Sequence, residues 1–374
     1  MAVTSFTSGA TGYELQWYVQ RAVSAYSHEA YTNARKLSST AIVGADGRID
    51  TSIEDYAGQI RWYKTLNPQI NVASVSDATD GTLTESTTAF SKYIKTVRTH
   101  GARDVNVQRV ISQQDGLAKS GRDFGETKAQ DEHNSVLETL QGVAAFESSV
   151  GGGLVTFDSN ADSGSTGFFV DICAAGVFGT ATSGTGRPLI DPSAAGAAKG
   201  ERIFKAMGMA WKDYESPYYY MVTGPELMSD LRSANLVDQT VVTEGNLEFQ
   251  TIFNGKFRLL MTRADQGDRS ADTNVNADSD KTTFIVKPEA LTMKALDVPA
   301  PVEMDRNPEA FLGGGTTDIW YRWGYVCHPQ GYDWAGSTVQ FAQKKGTGGY
   351  DQAASWARAD QGYLNLGILP IFHA

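Results

Sequence analysis

Cysteine is scarce in this chain: only Cys173 and Cys327 occur in 374 residues. Two thiols cannot make a disulfide framework. One bridge between them is open to the chain, and two buried thiols in a reducing compartment is the plainer expectation. Histidine is equally sparse. His28, His100, His133, His328 and His373 stand apart, none paired with another at metal-ligand spacing. Long apolar runs are missing, and nothing approaches the ~20 residues that span a bilayer. Residues 1–12 are small and polar without an apolar core, so no secretory signal is expected and the product should be soluble and cytoplasmic. Basic charge is in deficit. Lys and Arg number 32 against 43 Asp and Glu, a net charge of -11. Such a surface repels phosphate backbones, so tight or sequence-specific nucleic-acid binding is not expected.

The motifs of common chemistries are also missing. Gly151-Gly152-Gly153 lacks the Gly-Lys-Ser/Thr that closes a phosphate loop. No Gly-x-Ser-x-Gly elbow is present. Asp272, Asn274, Asn276 and Asp278 resemble the start of a calcium loop, but Ala277 and Thr283 stand where the glycine and the closing glutamate are needed. The carboxylate pairs Asp158/Asp162 and Asp265/Asp268 lie in polar stretches without the apolar setting that raises an acid's pKa. His328, just before Pro329, reads as a satisfied structural histidine. No catalytic residue, cofactor or metal site is expected.

What is present is a chain of ordinary globular composition, 41% hydrophobic and 20% charged, with 38 glycines in clusters. Residues 1–54 read as an arm carrying a helix over 13–37, with Leu15, Tyr18, Val19, Ala22, Val23 and Tyr26 on one stripe. Trp17 and Tyr18 make its start aromatic, and it can pack on its own core or on a neighbour. Residues 55–104 read as a long hairpin with a Ser/Thr/Asp/Gly tip over 74–88, its returning strands running to Ile111. Residues 105–146 hold a long helix from 115. It is apolar at its ends and polar from Gly125 to Asn134, which predicts a strut along a surface. Residues 147–297 read as a Gly-rich linker followed by an α+β unit. A helix from Asp191 to Trp211, a strand over 218–223, a helix over 226–235, a hairpin about Asn254-Gly255 and a strand over 283–286 build it. Residues 298–340 return as strands, with Ile319, Tyr321, Trp323, Tyr325 and Cys327 alternating onto one face. Residues 341–374 form a tail that ends in an apolar run.

This order resembles the major capsid proteins of tailed bacteriophages, the HK97-like fold. Local strings resemble that family too. They are Met221-Val-Thr-Gly-Pro-Glu-Leu-Met-Ser-Asp-Leu231, Phe284-Ile-Val-Lys-Pro-Glu-Ala-Leu291, Pro301-Val-Glu-Met-Asp-Arg306, Gly313-Gly-Gly-Thr-Thr-Asp318 and Tyr325-Val-Cys-His-Pro-Gln-Gly-Tyr-Asp-Trp334. The resemblance spans roughly residues 55–336.

The resemblance implies an α+β HK97-like fold with N-arm, E-loop hairpin, spine helix in a P-domain, and A-domain. It implies a structural protein that self-assembles as hexamers and pentamers into an icosahedral head around double-stranded DNA. The implied setting is the virion, assembled in a host cytoplasm with a separate scaffolding protein, a portal and a decoration protein. Contacts between subunits are expected at Trp17, Tyr18, Trp62, Tyr63, Phe90 and Tyr93. Asp272 and Asp278 are expected in a loop near the capsomer axis. The hairpin's Lys64, Lys92 and Lys95 suggest no cross-link acceptor. An encapsulin-like nanocompartment shell fits the same fold. A glycan-binding surface module is a further alternative, raised by seven Trp and sixteen Tyr, and a hydrolase with dispersed acids has no constellation behind it.

Overall fold

A computed structural model describes residues 12–34, 40–53, 55, 57–63, 88–105, 116–154, 166–174, 177, 187–191, 194, 199–211, 216–244, 247–262, 280–307, 315–336, 348–359 and 366–374. It is a mixed α+β protein. Four helices stand out: α1 (Gly12–Ala34), α2 (Gly116–Val150), α3 (Glu201–Ala210) and α4 (Pro225–Ser233). Strands outnumber them.

One sheet is organised by a long strand, β13 (Thr316–Pro329). Along one edge lies β4 (Thr96–Val105), paired antiparallel from Tyr325↔Thr96 to Thr316↔Val105. Along the other edge β12 (Val302–Asn307) covers the first half of β13, and β11 (Leu291–Ala295) covers the second half. The short β1 (Val43–Gly44) adds parallel to β11. A ribbon of β2 (Ala57–Tyr63) and β3 (Thr88–Ile94) leaves this sheet where β3 bends into β4.

The second sheet has seven strands. They are β5 (Val170–Asp171), β16 (Ile368–His373), β10 (Lys281–Val286), β6 (Tyr219–Thr223), β9 (Phe257–Met261), β8 (Leu247–Ile252) and β7 (Val237–Glu244), in that spatial order. β14 (Tyr332–Trp334) and β15 (Trp356–Arg358) form a separate small pair.

The apolar run near the end of the sequence is a central strand. All six residues of β16 are buried, as they must be when both faces of a strand are covered. Residues 368–373 therefore complete the sheet that residues 170–286 begin, and the segment expected to be a tail closes that core.

At α4 the local code is plain. Gly224 is extended, Pro225 takes the first turn where no N–H is needed, and Glu226 and Arg232 sit at the ends the macrodipole favours. The helix expected from Asp191 begins only at Glu201. Asp191 closes a loop instead: its N–H donates to the Lys199 carbonyl (2.8 Å) and its carboxylate accepts from Arg202 (2.7 Å). The Asn254-Gly255 hairpin is present between β8 and β9, with a longer turn than two residues. Phe253, Asn254 and Gly255 all have positive φ (55°, 57°, 80°). A bulky residue is seldom found there. Phe253 is held by Phe204 and Phe257, with ring centroids at 4.7 and 6.0 Å.

The largest departure concerns α2. Its polar middle is solvated on one side only: Glu126 and Gln130 are exposed, while Asp131 and Glu132, with Ser135 and Thr139 just beyond, are buried, and each of these four meets a polar atom brought by another element. The Trp323 indole N–H donates to Asp131 (2.9 Å), and Ser135 shares a hydrogen bond with the Tyr325 hydroxyl (2.6 Å). Thr139 contacts the Cys327 sulfur at 3.5 Å, and Glu132 accepts from the Tyr31 hydroxyl (2.6 Å). Buried polar groups are tolerated when paired in this way. The alternating face of β13 expected from the sequence is thus the face that α2 covers, through polar contacts as well as apolar ones.

Gly142 does not bend α2, which runs on to Val150. A Cβ at Gly142 would stand 1.9 Å from the Tyr350 carbonyl oxygen, so glycine is required where the Trp334–Tyr350–Trp356 cluster closes on the helix. Both cysteines are buried and unbridged. Burial pushes the Cys327 thiol up to about 12, which leaves it an inert hydrophobe.

Candidate subunit-contact surfaces

The β2–β3 ribbon is the feature that a single subunit explains least, so its root comes first. Ser91 and Tyr93 of β3 and Lys95 just after it alternate inward, and all three are buried. The Ser91 hydroxyl donates to the Tyr332 carbonyl (2.5 Å) and lies 2.6 Å from His328 Nε2. The Asp50 N–H donates to the Tyr93 hydroxyl (3.0 Å). The Tyr93 ring crosses β2 at Gly58, where a Cβ would stand 2.2 Å from the hydroxyl.

Lys95 Nζ donates to the Asp50 carboxylate (2.8 Å) and to the Ser52 carbonyl (2.6 Å), and the Lys92 N–H donates to Asp333 (2.8 Å). One step further, Thr96 meets the Tyr350 hydroxyl (2.6 Å). The root is therefore tied to the segment 46–53, to β13, to β14 and to the C-terminal cluster.

Electrostatics follow from these contacts. The Lys95 ammonium and the Ser52 hydroxyl hold the Asp50 carboxyl well below the usual carboxylate range. Burial lowers His328 to about 4, which keeps the imidazole neutral beside Ser91. His328 is the satisfied structural histidine expected, and it also latches the ribbon.

Tyr93 requires a correction. It was expected to meet a neighbouring subunit, yet it is enclosed within its own chain by Ile49, Leu296 and Val326. Its hydroxyl already accepts the Asp50 N–H, so it is an anchor of the root. Phe90, on the strand just beyond, remains 48% exposed. Trp62 and Tyr63 pair with Ala89 and Thr88 through the backbone, and their side chains lie outside the described residues.

The arm helix α1 packs on α2 of the same chain along its C-terminal half. Tyr31 bonds Glu132, Lys128 sits 4.2 Å from the centre of the Tyr31 ring, and Arg122 approaches the Tyr26 ring at 5.8 Å. The helices cross at Gly125, where a Cβ would stand 2.2 Å from the Ser27 carbonyl. This half of the helix packs on its own subunit, one of the two arrangements its sequence leaves open. Trp17 and Tyr18 lie in its first half, with side chains outside the described residues. Asp272 and Asp278, and the whole loop 263–279, also lie outside them.

The sequence did not single out the second exposed aromatic surface. β13 turns its odd residues toward α2, and its even residues Asp318, Trp320 and Arg322 onto the opposite, open face. Trp320 is 46% exposed. Its indole lies against Gly101 of β4, where a Cβ would stand 2.8 Å from the ring. Cross-strand ion pairs flank it: Arg103 holds Asp318 with two bonds (2.6 and 2.7 Å), and Arg322 meets Glu303 at 2.6 Å. The readable signal was the alternation itself, which places Trp320 out of phase with the buried aromatic row.

A buried ion pair ties α2 to the β14–β15 pair and to the chain leading into β5. Glu147, near the end of α2, accepts from Arg358 Nε (3.0 Å) and from the Phe168 N–H (2.7 Å), and a second Arg358 nitrogen also reaches its carboxylate. Arg358 further donates to the Thr166 carbonyl (2.8 Å). Among the described residues no cluster of three His, Cys, Asp or Glu side chains is placed to hold a metal, and no helix is long and apolar enough to cross a membrane.

No family model matches the sequence, and no curated protein matches it. Solved structures do. The capsid of cyanophage Pam1 is similar over 93% of this chain and 92% of its own, at 9% identity and a TM-score of 0.48. The capsid of Ralstonia phage GP4 covers 92% and 91%, at 10% identity and 0.48. The acid-stable capsid of the Helicobacter pylori bacteriophage KHP30 covers 91% and 91%, at 10% identity and 0.46. These similar structures are phage capsid proteins.

Proposed function

We propose that this chain is a coat protein, the major shell subunit of a tailed bacteriophage head. It works by geometry and carries out no catalysis. The observation that supports this most is the contrast within the ribbon. Its root is fixed by five buried or half-buried hydrogen bonds from Ser91, Lys92, Tyr93 and Lys95. Phe90, one residue outward, is left half exposed. A two-stranded ribbon is marginal alone in water. A rigid root with an apolar outer strand suits a ribbon that finishes its burial on a neighbouring subunit.

In this reading Phe90, Trp62 and Tyr63 contact an adjacent copy. The loop with Asp272 and Asp278 stands near the axis where copies meet, its like charges eased by salt. Copies assemble as hexamers and pentamers around double-stranded DNA, held without sequence-specific contacts, as the net charge of -11 favours. A separate scaffolding protein, a portal and a decoration protein are the partners this reading calls for. Many modest contacts repeated around a closed shell make the whole stable.

The test is expression of the chain, with and without a scaffold gene from its own genome, followed by negative-stain electron microscopy. Closed particles or rings of five and six subunits are the expected product. A compact monomer at high concentration under both conditions would remove the proposal.

A further inference from the structure

We infer that Asn254-Gly255, at the tip of the β8–β9 hairpin, is a site of spontaneous deamidation, and that the Asp238 carboxylate is the guard that holds it closed. Neither depends on assembly.

The chemistry is that of asparagine before glycine. The Gly255 nitrogen gives up its proton to water and bonds to Asn254 Cγ. The Cγ–N bond of the side-chain amide breaks, and ammonia leaves with a proton from solvent. Water then opens the five-membered succinimide to aspartate or isoaspartate. Nothing is oxidised or reduced. Glycine favours the step because no Cβ stands beside the attacking nitrogen. The approach is open in space as well: Asn254 is exposed, and a Cβ built on Gly255 would meet nothing within 4 Å.

The backbone is what holds the reaction back. The Gly255 N–H donates to Asp238 Oδ2 at 3.0 Å, and the Thr251 hydroxyl donates to the same oxygen at 3.0 Å. Asp238 reaches the turn from the neighbouring β7, whose pairing with β8 shifts register between Val237 and Val241. An irregularity of this kind re-aims a side chain. Asn254 lies in the left-handed region, with φ at 57°, between Phe253 at 55° and Gly255 at 80°. The Lys256 N–H closes the turn on the Phe253 carbonyl (3.4 Å). The Phe253 ring lies against Gly200, where a Cβ would stand 2.3 Å from it. Succinimide closure swings the 254–255 peptide toward the asparagine side chain and takes the Gly255 N–H off Asp238. A charge-assisted hydrogen bond must therefore break before the nitrogen attacks. Isoaspartate would add a backbone carbon to a turn that fixes the register of β8 on β9.

The experiment keeps the full chain in mildly alkaline buffer and follows position 254 by peptide mapping, which reads the mass gained when ammonia is exchanged for water. The folded parent should convert about tenfold more slowly than the same chain unfolded in urea, the factor that a hydrogen bond to a charged group is worth. Asp238→Ala should raise the folded rate by about the same factor. Hydrogen exchange should then quicken at the turn and stay unchanged in β10. Asp238→Asn, whose amide oxygen can still accept from Gly255 and Thr251, should stay nearer the parent than the alanine variant does. A rate that falls in both variants would make Asp238 the base that draws the proton from Gly255, and would overturn the guard. An alanine variant that converts no faster than the parent would overturn it too. A folded parent that converts as fast as the unfolded chain would do so whether or not the variants fold.

Discussion

The seven-stranded sheet and the ribbon root are both buried, and they are buried by different means. The sheet interior is apolar: Tyr220, Met221, Val222, Phe284, Ile285, Leu369, Ile371 and Phe372 are all but inaccessible. Such a core is strong and undirected, because apolar packing accepts many arrangements of similar volume. The root and the α2–β13 interface use matched polar atoms instead. Ser91 finds His328 and Tyr332, Lys95 finds Asp50 and Ser52, and Asp131 finds Trp323. Each pair tolerates little displacement before a buried group loses its partner. The sheet supplies stability, and the polar contacts set where the ribbon points.

Glu147→Ala attacks the buried ion pair that ties α2 to β15 and to the chain leading into β5, and the largest effect is expected there. It strands the buried Arg358 guanidinium, a change of about 3–5 kcal/mol, read by denaturant unfolding of unassembled subunits. A loss below about 1 kcal/mol would show that water already compensates Arg358.

Acid tests both regions together. His328 and His373 are each lowered to about 4 by burial. Between about pH 6.5 and 4 the unfolded chain binds protons that the native chain refuses. Stability is therefore full above that window and falls as pH drops through it, by on the order of 3 kcal/mol per histidine at the lower end. Unfolding midpoints across pH 7 to 4 measure this, and a flat profile would contradict it.

Ser91→Ala sharpens the comparison. It removes the hydroxyl shared by buried His328 and Tyr332, for about 1 kcal/mol. Amide hydrogen exchange should quicken in β3 and stay unchanged in β10 and β16. Uniform quickening would mean that the root is not a separate latch. Ile371→Val gives the converse and the smallest effect, about 0.5–1.5 kcal/mol. Exchange in β3 should then be as in the parent.

Much of this was legible in the sequence because it is local. The β13 alternation, the Gly224-Pro225 start of α4, the hairpin at Asn254-Gly255 and the length of α2 are written in spacings of two, three and four residues. What could not be read is pairwise and distant. Asp131 and Glu132 in the polar run Gly125–Asn134 look solvated until Trp323 and Tyr31 are brought to them from elsewhere in the chain. Lys95 looks exposed until Asp50 and Ser52 close on it. β16 looks like a tail because its pairing partners, β5 and β10, lie about 200 and 90 residues away. Of the residues expected at subunit contacts, Phe90 is half exposed on its own subunit. Tyr93 was misplaced because alternation gives a face and not its occupant.

The most direct test of the account compares amide hydrogen exchange of the same chain before and after assembly. Protection gained in β2 and β3, with α2 and the seven-stranded sheet unchanged, is the result the account requires. Assembled particles in which the ribbon exchanges as fast as in the free subunit would contradict it.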